Sequence, residues 1–368
     1  MPDAKPLDQS LHLPSLVIKN FRGIDELTIP RLGRVTLLAG KNGVGKTTVL
    51  DAVRVWADRG LNSVHDLVLH DRGDSFTTIG SDTEKKAIVD RKALFKKRLI
   101  SSGEAISIGP TDDSNTLQIR ALLPQAWPFS QNSPSDWQIS SPMDVLGNIR
   151  LETHFGNLEP RIEGIPFVFD DGANAIGCNL MGPNGPTDEV VEQHWSEVAL
   201  TSHEDKALEA LNLITDQEVE RVAALGPPVA SSGITQPRRM MAKVTGVDYQ
   251  VPLRTLGDGA LRTYAVALAL AKSSGGFLLI DEAENGIHHS IQAKFWKMVL
   301  QTAQRNNVQV LATTHSWDCV KGFAQAANEL EDVEGMLYRI QRNTERLRAV
   351  PYPEDQLLIA AKHGIEVR

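Results

Sequence analysis

The run Gly40-Lys41-Asn42-Gly43-Val44-Gly45-Lys46-Thr47 constrains this chain more than any other feature, and it satisfies the spacing GxxxxGK[ST] in full. Before it, Val35-Thr36-Leu37-Leu38-Ala39 has the make-up of a buried parallel strand. After it, Lys46 to Ala57 has helical spacing, with Val49, Leu50, Val53 and Val55 apolar. Glycines in such a turn let successive backbone N–H groups converge on phosphate oxygens. The helix N-terminus adds favourable partial charge. Lys46 is then expected to reach the β- and γ-phosphates of a nucleotide, and the Thr47 hydroxyl to ligate Mg²⁺. A merely structural turn has no need of Lys-Thr in that register.

A strand–carboxylate signal follows far downstream. Phe277-Leu278-Leu279-Ile280 reads as a buried strand, and Asp281-Glu282 sit at its C-terminal end, the edge where ligands bind in open α/β sheets. Asp281 suits Mg²⁺ held through water, and Glu282 suits polarisation of an attacking water. The next β-rich run ends in Thr313-Thr314-His315-Ser316, placing His315 at the same edge. A lone histidine is more often structural; the order of the three signals favours a role at a γ-phosphate or at the attacking water. Leu256-Gly257-Asp258-Gly259 opens an almost wholly apolar helix over Ala260–Lys272, a second phosphate nest or an ordinary helix start with Asp258 as cap. A second nest is redundant within one chain and useful if it faces a nucleotide held by another copy.

Between these parts the pattern changes. Residues 75–250 begin with short β-like runs at Ala105–Ile108, Leu117–Leu123, Asn148–His154 and Ile165–Phe169, separated by turn-rich stretches. Helical spacing follows over Thr187–Trp195 and His203–Leu225, with Leu208, Leu211, Ile214, Val219 and Val222 as the expected buried stripe. From about 250 a β–α rhythm resumes, implying parallel strands covered by helices.

The 368 residues are 41% hydrophobic and 23% charged, enough for a sizeable core and against global disorder. No apolar run approaches the length of a membrane span, the N-terminal residues lack a secretory pattern, and only two cysteines occur, Cys178 and Cys319. The expectation is a cytoplasmic chain with no membrane association, both thiols serving as small buried hydrophobes. A formal net charge of −8 argues against nucleic acid held by the whole surface. A basic cluster at Lys85, Lys86, Arg91, Lys92, Lys96, Lys97 and Arg98 leaves local DNA contact open, although a solvated helix face is the plainer reading.

In this order the motifs resemble ABC-type ATPase heads, in particular the RecF/SMC-like and OLD ATPases. Leu16-Val17-Ile18-Lys19-Asn20-Phe21-Arg22-Gly23 looks like their opening strand, Leu256–Gly259 like the signature loop, Asp281–Ser290 like Walker B running into the D-loop, and Thr313–Ser316 like the switch-histidine segment. The resemblance implies an α/β fold, a P-loop NTPase of the ABC type with a β-rich and then helical insertion. The lobes would be 14–74 and 251–322, the insertion 75–250, and a C-terminal α/β tail 323–368.

It implies a homodimer or higher even-numbered homo-oligomer with each ATP between one P-loop and the partner's signature loop. Asn20, Arg22, Gly40, Lys41, Asn42, Gly43, Val44, Gly45, Lys46, Thr47 and Thr48 would hold ATP, while Gly257, Asp258 and Gly259 act in trans. Thr47 and Asp281 would hold Mg²⁺; Lys46, Glu282 and His315 would serve ATP hydrolysis to ADP and phosphate. Gly257 stands where the signature serine would be, so backbone N–H groups must suffice there. The Q-loop glutamine stays unassigned between Gln118 and Gln125.

Only 52 residues of this sequence follow the switch segment, fewer than the Toprim domain of OLD proteins is expected to need, and the insertion lacks the heptads of SMC arms. The chain is therefore similar to the ATPase subunits of two-gene anti-phage systems such as PARIS. The expected role is a nucleotide-dependent switch or sensor controlling a separate effector, such as a Toprim-type nuclease, in anti-phage or anti-plasmid defence. The alternatives are a RecF-like repair ATPase binding DNA directly and, less favoured because of the β-rich insertion, a transporter's nucleotide-binding subunit.

Overall fold

The computed structural model describes residues 8, 10–60, 62–79, 85–100, 104–122, 149–157, 160–162, 175–226, 238–330, 332–343 and 346–352. β1 (Leu16–Phe21) and β2 (Ile24–Ile29) form an antiparallel hairpin, and β3 (Val35–Ala39) leads through the glycine-rich turn into α1 (Lys46–Ala57). Then come α2 (Asn62–Asp71), the paired β4 (Ser75–Ile79) and β5 (Lys85–Val89), β6 (Ile106–Gly109), β7 (Leu117–Leu122), β8 (Arg150–Phe155), β9 (Arg161–Ile162) and β10 (Cys178–Met181). α3 (Asp188–Val198) and α4 (Ser202–Asn212) are each capped by a threonine hydroxyl, Thr187 and Thr201, accepting a backbone N–H. They precede a small antiparallel sheet of β11 (Val219–Leu225), β12 (Arg239–Val244) and β13 (Val251–Pro252). The chain continues through α5 (Asp258–Lys272), β14 (Phe277–Ile280), α6 (Gln292–Arg305), β15 (Gln309–Thr314), α7 (Trp317–Glu329), β16 (Gly335–Asn343) and β17 (Arg346–Tyr352).

Two six-stranded sheets organise these elements. One is antiparallel in the order β2-β1-β6-β7-β8-β9. The other runs β10-β14-β15-β3-β16-β17, parallel except for the last strand. Strands β3, β14 and β15 are buried at every residue, as befits the centre of a parallel sheet covered on both faces; only β14 is wholly apolar, and Thr36, Gln309, Thr313 and Thr314 are buried in the other two. Side chains alternate across a strand, so each run feeds two cores. Leu278, Ile280, Val310, Ala312, Val35 and Leu37 pack on the side of α5, α6 and α7; Phe277, Leu279, Leu311 and Leu38 pack on the side of α1. There Trp56 joins both sheets, its ring 6.1 Å from that of Phe277 on β14 and 6.0 Å from that of Phe155 on β8.

The structure departs from the sequence expectations in identifiable places. The helical spacing read through to Leu225 stops at α4; Val219–Leu225 is a strand paired antiparallel with β12. Thr215, Asp216 and Gln217 interrupt the helix, and Val219 and Val222 are buried from a strand rather than a helix face. The basic cluster is not a helix face: β5 holds Lys85 and Lys86, and short 3₁₀ turns hold Arg91–Leu94 and Lys96–Arg98. The boundaries at 75 and 250 cut across both large sheets, because β6–β9 extend the sheet begun by β1 and β2, and β10 edges the parallel sheet. The β16 strand of the 323–368 tail pairs directly with β3. The run at 165–169 lies outside the described residues. No helix among the described residues is long and apolar enough to cross a membrane.

Candidate nucleotide-binding site

The glycine-rich turn lies at the C-terminal end of β3, between β15 and β16. Gly40 has φ +153°, and a Cβ there would stand 2.5 Å from the Ile340 carbonyl oxygen, so the first position of the motif admits only glycine. Gly45, at φ +113°, precedes α1 and no side chain caps that helix. The first-turn N–H groups therefore stay available to an anion. Lys46 is 7% exposed and its ammonium donates to the carbonyls of Gly40 (2.7 Å) and Lys41 (3.0 Å), folding back over the loop. Burial lowers the Lys46 pKa, and the nearby carboxylates of Glu284, Asp281 and Glu282 act in the opposite direction.

The neighbouring strand ends meet this turn. Thr47 Oγ1 donates to Asp281 Oδ1 at 3.0 Å, and Thr313 Oγ1 donates to the same oxygen at 2.6 Å while accepting the Glu282 N–H at 2.9 Å. Hydroxyl and carboxylate oxygens this close make a hard-donor pair that suits Mg²⁺, which takes few protein ligands and completes its shell with phosphate and water. Glu282 has φ +49°, a costly conformation for a residue with a side chain. It is held by the Thr313 hydroxyl and by Arg262 of α5, whose Nη2 donates to the carbonyls of Asp281 (3.1 Å) and Glu282 (2.9 Å). Asn285 Nδ2 donates to Glu282 Oε2 at 2.7 Å and to the Pro183 carbonyl at 3.0 Å, orienting the carboxylate. His315 Nδ1 lies 4.0 Å from Glu282 Oε1 and 2.9 Å from Glu284 Oε1.

The motif residues Lys46, Thr47, Asp281, Glu282 and His315 thus stand at three adjacent strand ends. Sequence reasoning missed Arg262, Thr313, Asn285 and Glu284; the run Asp281-Glu282-Ala283-Glu284-Asn285 was a signal for the last two.

Beside Thr48 a cavity of about 570 Å³ opens, lined by Arg22, Lys96, Lys97, Arg98 and Arg342, with Asp25 paired to Lys96, Asp74 to Arg22 and Arg98, and Asp90 to Arg98, so that the cations outnumber the carboxylates by five to three. In a chain of net charge −8 this is a local cationic site. Arg22 has φ +52° and its Nη2 donates to Asp74 at 2.8 Å. Asn20, φ +57°, turns its amide to the Ala105 carbonyl (3.3 Å) and is not among the cavity residues. Gln118 lies within β7, opposite Ser107 and His154, and Gln125 lies outside the described residues. The signature segment is a 3₁₀ turn ending at Leu256, with Gly257 exposed at φ +105° and serving as the N-cap of α5. The reading of this segment as an ordinary helix start makes Asp258 the cap; it instead begins the helix. Gly259 packs on the 286–291 turn so closely that a Cβ would stand 2.8 Å from the Gly286 carbonyl.

The solved structure titled "Crystal structure of the SmcHead bound to the C-winged helix domain of ScpA" superposes with a TM-score of 0.52 at 12% identity, over 93% of this chain and 98% of that one. The chain has the fold of an ABC-type P-loop NTPase head. Residues 15–115 of the head match the family profile "AAA domain", and residues 191–318 match "AAA domain, putative AbiEii toxin, Type IV TA system". A Helicobacter pylori protein named ATP/GTP phosphatase is 21% identical over 341 residues, spanning 86% of the head and 89% of that protein. The Methanocaldococcus jannaschii protein MJECL11 is 34% identical over 92 residues, 25% of the head and 80% of that protein, and the head belongs to the same family as it.

Proposed function

We propose that the head binds ATP with Mg²⁺, hydrolyses it, and uses the cycle to pair and release two copies of itself. The observation that carries this reading is the convergence of Lys46 and Thr47 with Asp281, Glu282 and His315 at adjacent strand ends. The triphosphate would lie along the glycine turn, displacing the Gly40 and Lys41 carbonyls from Lys46, and the nucleoside would extend past Thr48 into the cationic cavity. Arg22 would contact the nucleotide from the cavity wall, and Asn20 would support the same segment. Thr47 and Asp281 would hold Mg²⁺, which supplies charge neutralisation at the β- and γ-phosphates. Glu282, oriented by Asn285, is the general base for water, and His315 reads the γ-phosphate.

Pairing is supported by the α5 N-terminus. Gly257 is exposed, no side chain caps the helix, and the free N–H groups suit an anion brought by a second copy. The output we assign is control of a separate effector, such as a Toprim-type nuclease, in bacterial defence. Its support is the resemblance to OLD-type and PARIS ATPases and the match to a family whose description includes a type IV TA system. Direct DNA binding of the RecF kind is less favoured. Arg91, Lys96 and Arg98 of the basic cluster are tied to Asp66, Asp25, and Asp74 with Asp90, which reduces the charge left for phosphates.

Two variants test the reading. Lys46→Ala should abolish nucleotide binding in calorimetry. Glu282→Gln should retain binding, lose about a hundredfold or more in turnover, and sediment as a dimer with ATP. Unchanged hydrolysis in Glu282→Gln, or a head that stays monomeric with ATP, would sink the respective half of the proposal.

A further inference from the structure

Glu284 belongs to no motif role assigned so far, and its setting is unusual. Its side chain is 9% exposed. Oε1 accepts the backbone N–H of His315 at 2.8 Å and lies 2.9 Å from Nδ1 of the same residue's ring, a close contact that is not a hydrogen bond, while Oε2 and that Nδ1 are both buried with no hydrogen-bond partner among the described residues. The carboxylate also exerts the largest opposing charge on both Lys46 and Arg262. Buried carboxylate oxygens are rarely left unpaired, so the cost of keeping this one argues for a role outside packing.

We infer that Glu284 is a positioning residue that sets the ring of His315 for nucleotide turnover. One oxygen bonded to the main chain of His315 and in close contact with its ring limits the positions that ring can take relative to β15. With Nδ1 facing Glu284, Nε2 is the ring nitrogen left to meet a ligand, and the side chain as a whole is 39% exposed. Glu282 cannot do this work as well: its Oε1 is 4.0 Å from Nδ1 and its Oε2 is held by Asn285. Glu284 thus ties the end of β14 to the end of β15, so that the base and the γ-phosphate reader are placed by one short segment. The inference rests on the ATPase reading above.

A double-mutant cycle on the full chain tests it. Glu284→Ala should lower kcat about 10–100-fold with ATP affinity changed less than about threefold, the size expected when the partner that orients a working imidazole is removed. Glu284→Gln keeps the acceptor oxygen and should lose less. Added to His315→Asn, either substitution should cost no more than about a further twofold, since a residue that acts through another has nothing left to act on. If Glu284→Ala does not fold, the Glu284→Gln cycle gives the same reading. Losses that multiply across the pair, or near-normal turnover in Glu284→Ala, would overturn the inference while leaving the ATPase reading intact. An unsubstituted chain that hydrolyses no ATP would remove both.

Discussion

His65 on α2 is wholly buried, and among the described residues neither ring nitrogen has a hydrogen-bond partner. Burial pushes its pKa down to about 4, with Arg91 adding to the effect. The unfolded chain takes up this proton near 6.5, so between 6.5 and 4 the unfolded state binds more protons than the folded one. The stability His65 allows is complete above that window and is lost as pH falls through it. His65→Phe should therefore raise the melting temperature at neutral pH, by removing an unpaired buried polar group worth about 1–3 kcal/mol. It should also flatten the fall in melting temperature between pH 7 and pH 5; an unchanged slope would show that His65 is not the titrating group. The cysteines are the opposite case: burial pushes both thiols up to about 12, and the expectation of a fully buried thiol holds for Cys319, while Cys178 is half-buried.

Among the elements, α1 carries the site at one end and a defect at the other. Its last turn reaches Asp58, the C-cap, where a carboxylate faces the negative end of the helix. Burial pushes the Asp58 pKa up to about 6 against the pull of Arg54 and Arg161, and Oδ2 has no hydrogen-bond partner. An acid with a raised folded pKa favours the folded state at low pH, and that advantage is lost as pH rises through the folded value. Asp58→Asn should thus raise the melting temperature above about pH 6 and make little difference near pH 4, in thermal melts across that range. The same scale shows why the boundary between α4 and β11 was misread. Apolar residues at 208, 211, 214, 219 and 222 fit a helical period, but the pairing of β11 with β12 decides the second half, and that pairing depends on residues about twenty positions away.

For the whole molecule, the decisive question is whether one ATP is served by two copies. In such an arrangement Lys46→Ala damages one chain's own site, whereas Gly257→Glu damages the site held by its neighbour. Each variant alone should be inactive. Mixed in equal amounts, half of the dimers combine one of each and have one intact site. About a quarter of the normal activity should return if exchange is random. An assay of the two purified variants, separately and mixed, checks this; no recovery would mean that Gly257 acts within its own chain or outside the reaction. A Cβ at 257 meets no atom within 4 Å, but φ +105° strains any side chain there, so thermal melts of Gly257→Glu accompany the assay and a variant that melts like the unsubstituted chain makes the mixing result informative.

The sequence by itself determined what lies on contiguous stretches. The glycine turn with its strand and helix, the apolar run ending in Asp281-Glu282, and the run ending in Thr313-Thr314-His315 declare themselves because a buried parallel strand must be apolar and its chemistry must come just after it. Only the tertiary structure decided what crosses between stretches. Thr313 bridging Asp281 to Glu282, Arg262 holding two carbonyls of the β14 end, and Glu284 against His315 are partnerships of residues from 19 to 32 positions apart. The assignment of β6–β10 to the two main sheets is of the same kind. Local propensity and periodicity report how a segment folds, whereas strand neighbours and side-chain partners depend on which surfaces are left to be covered once the segments have formed.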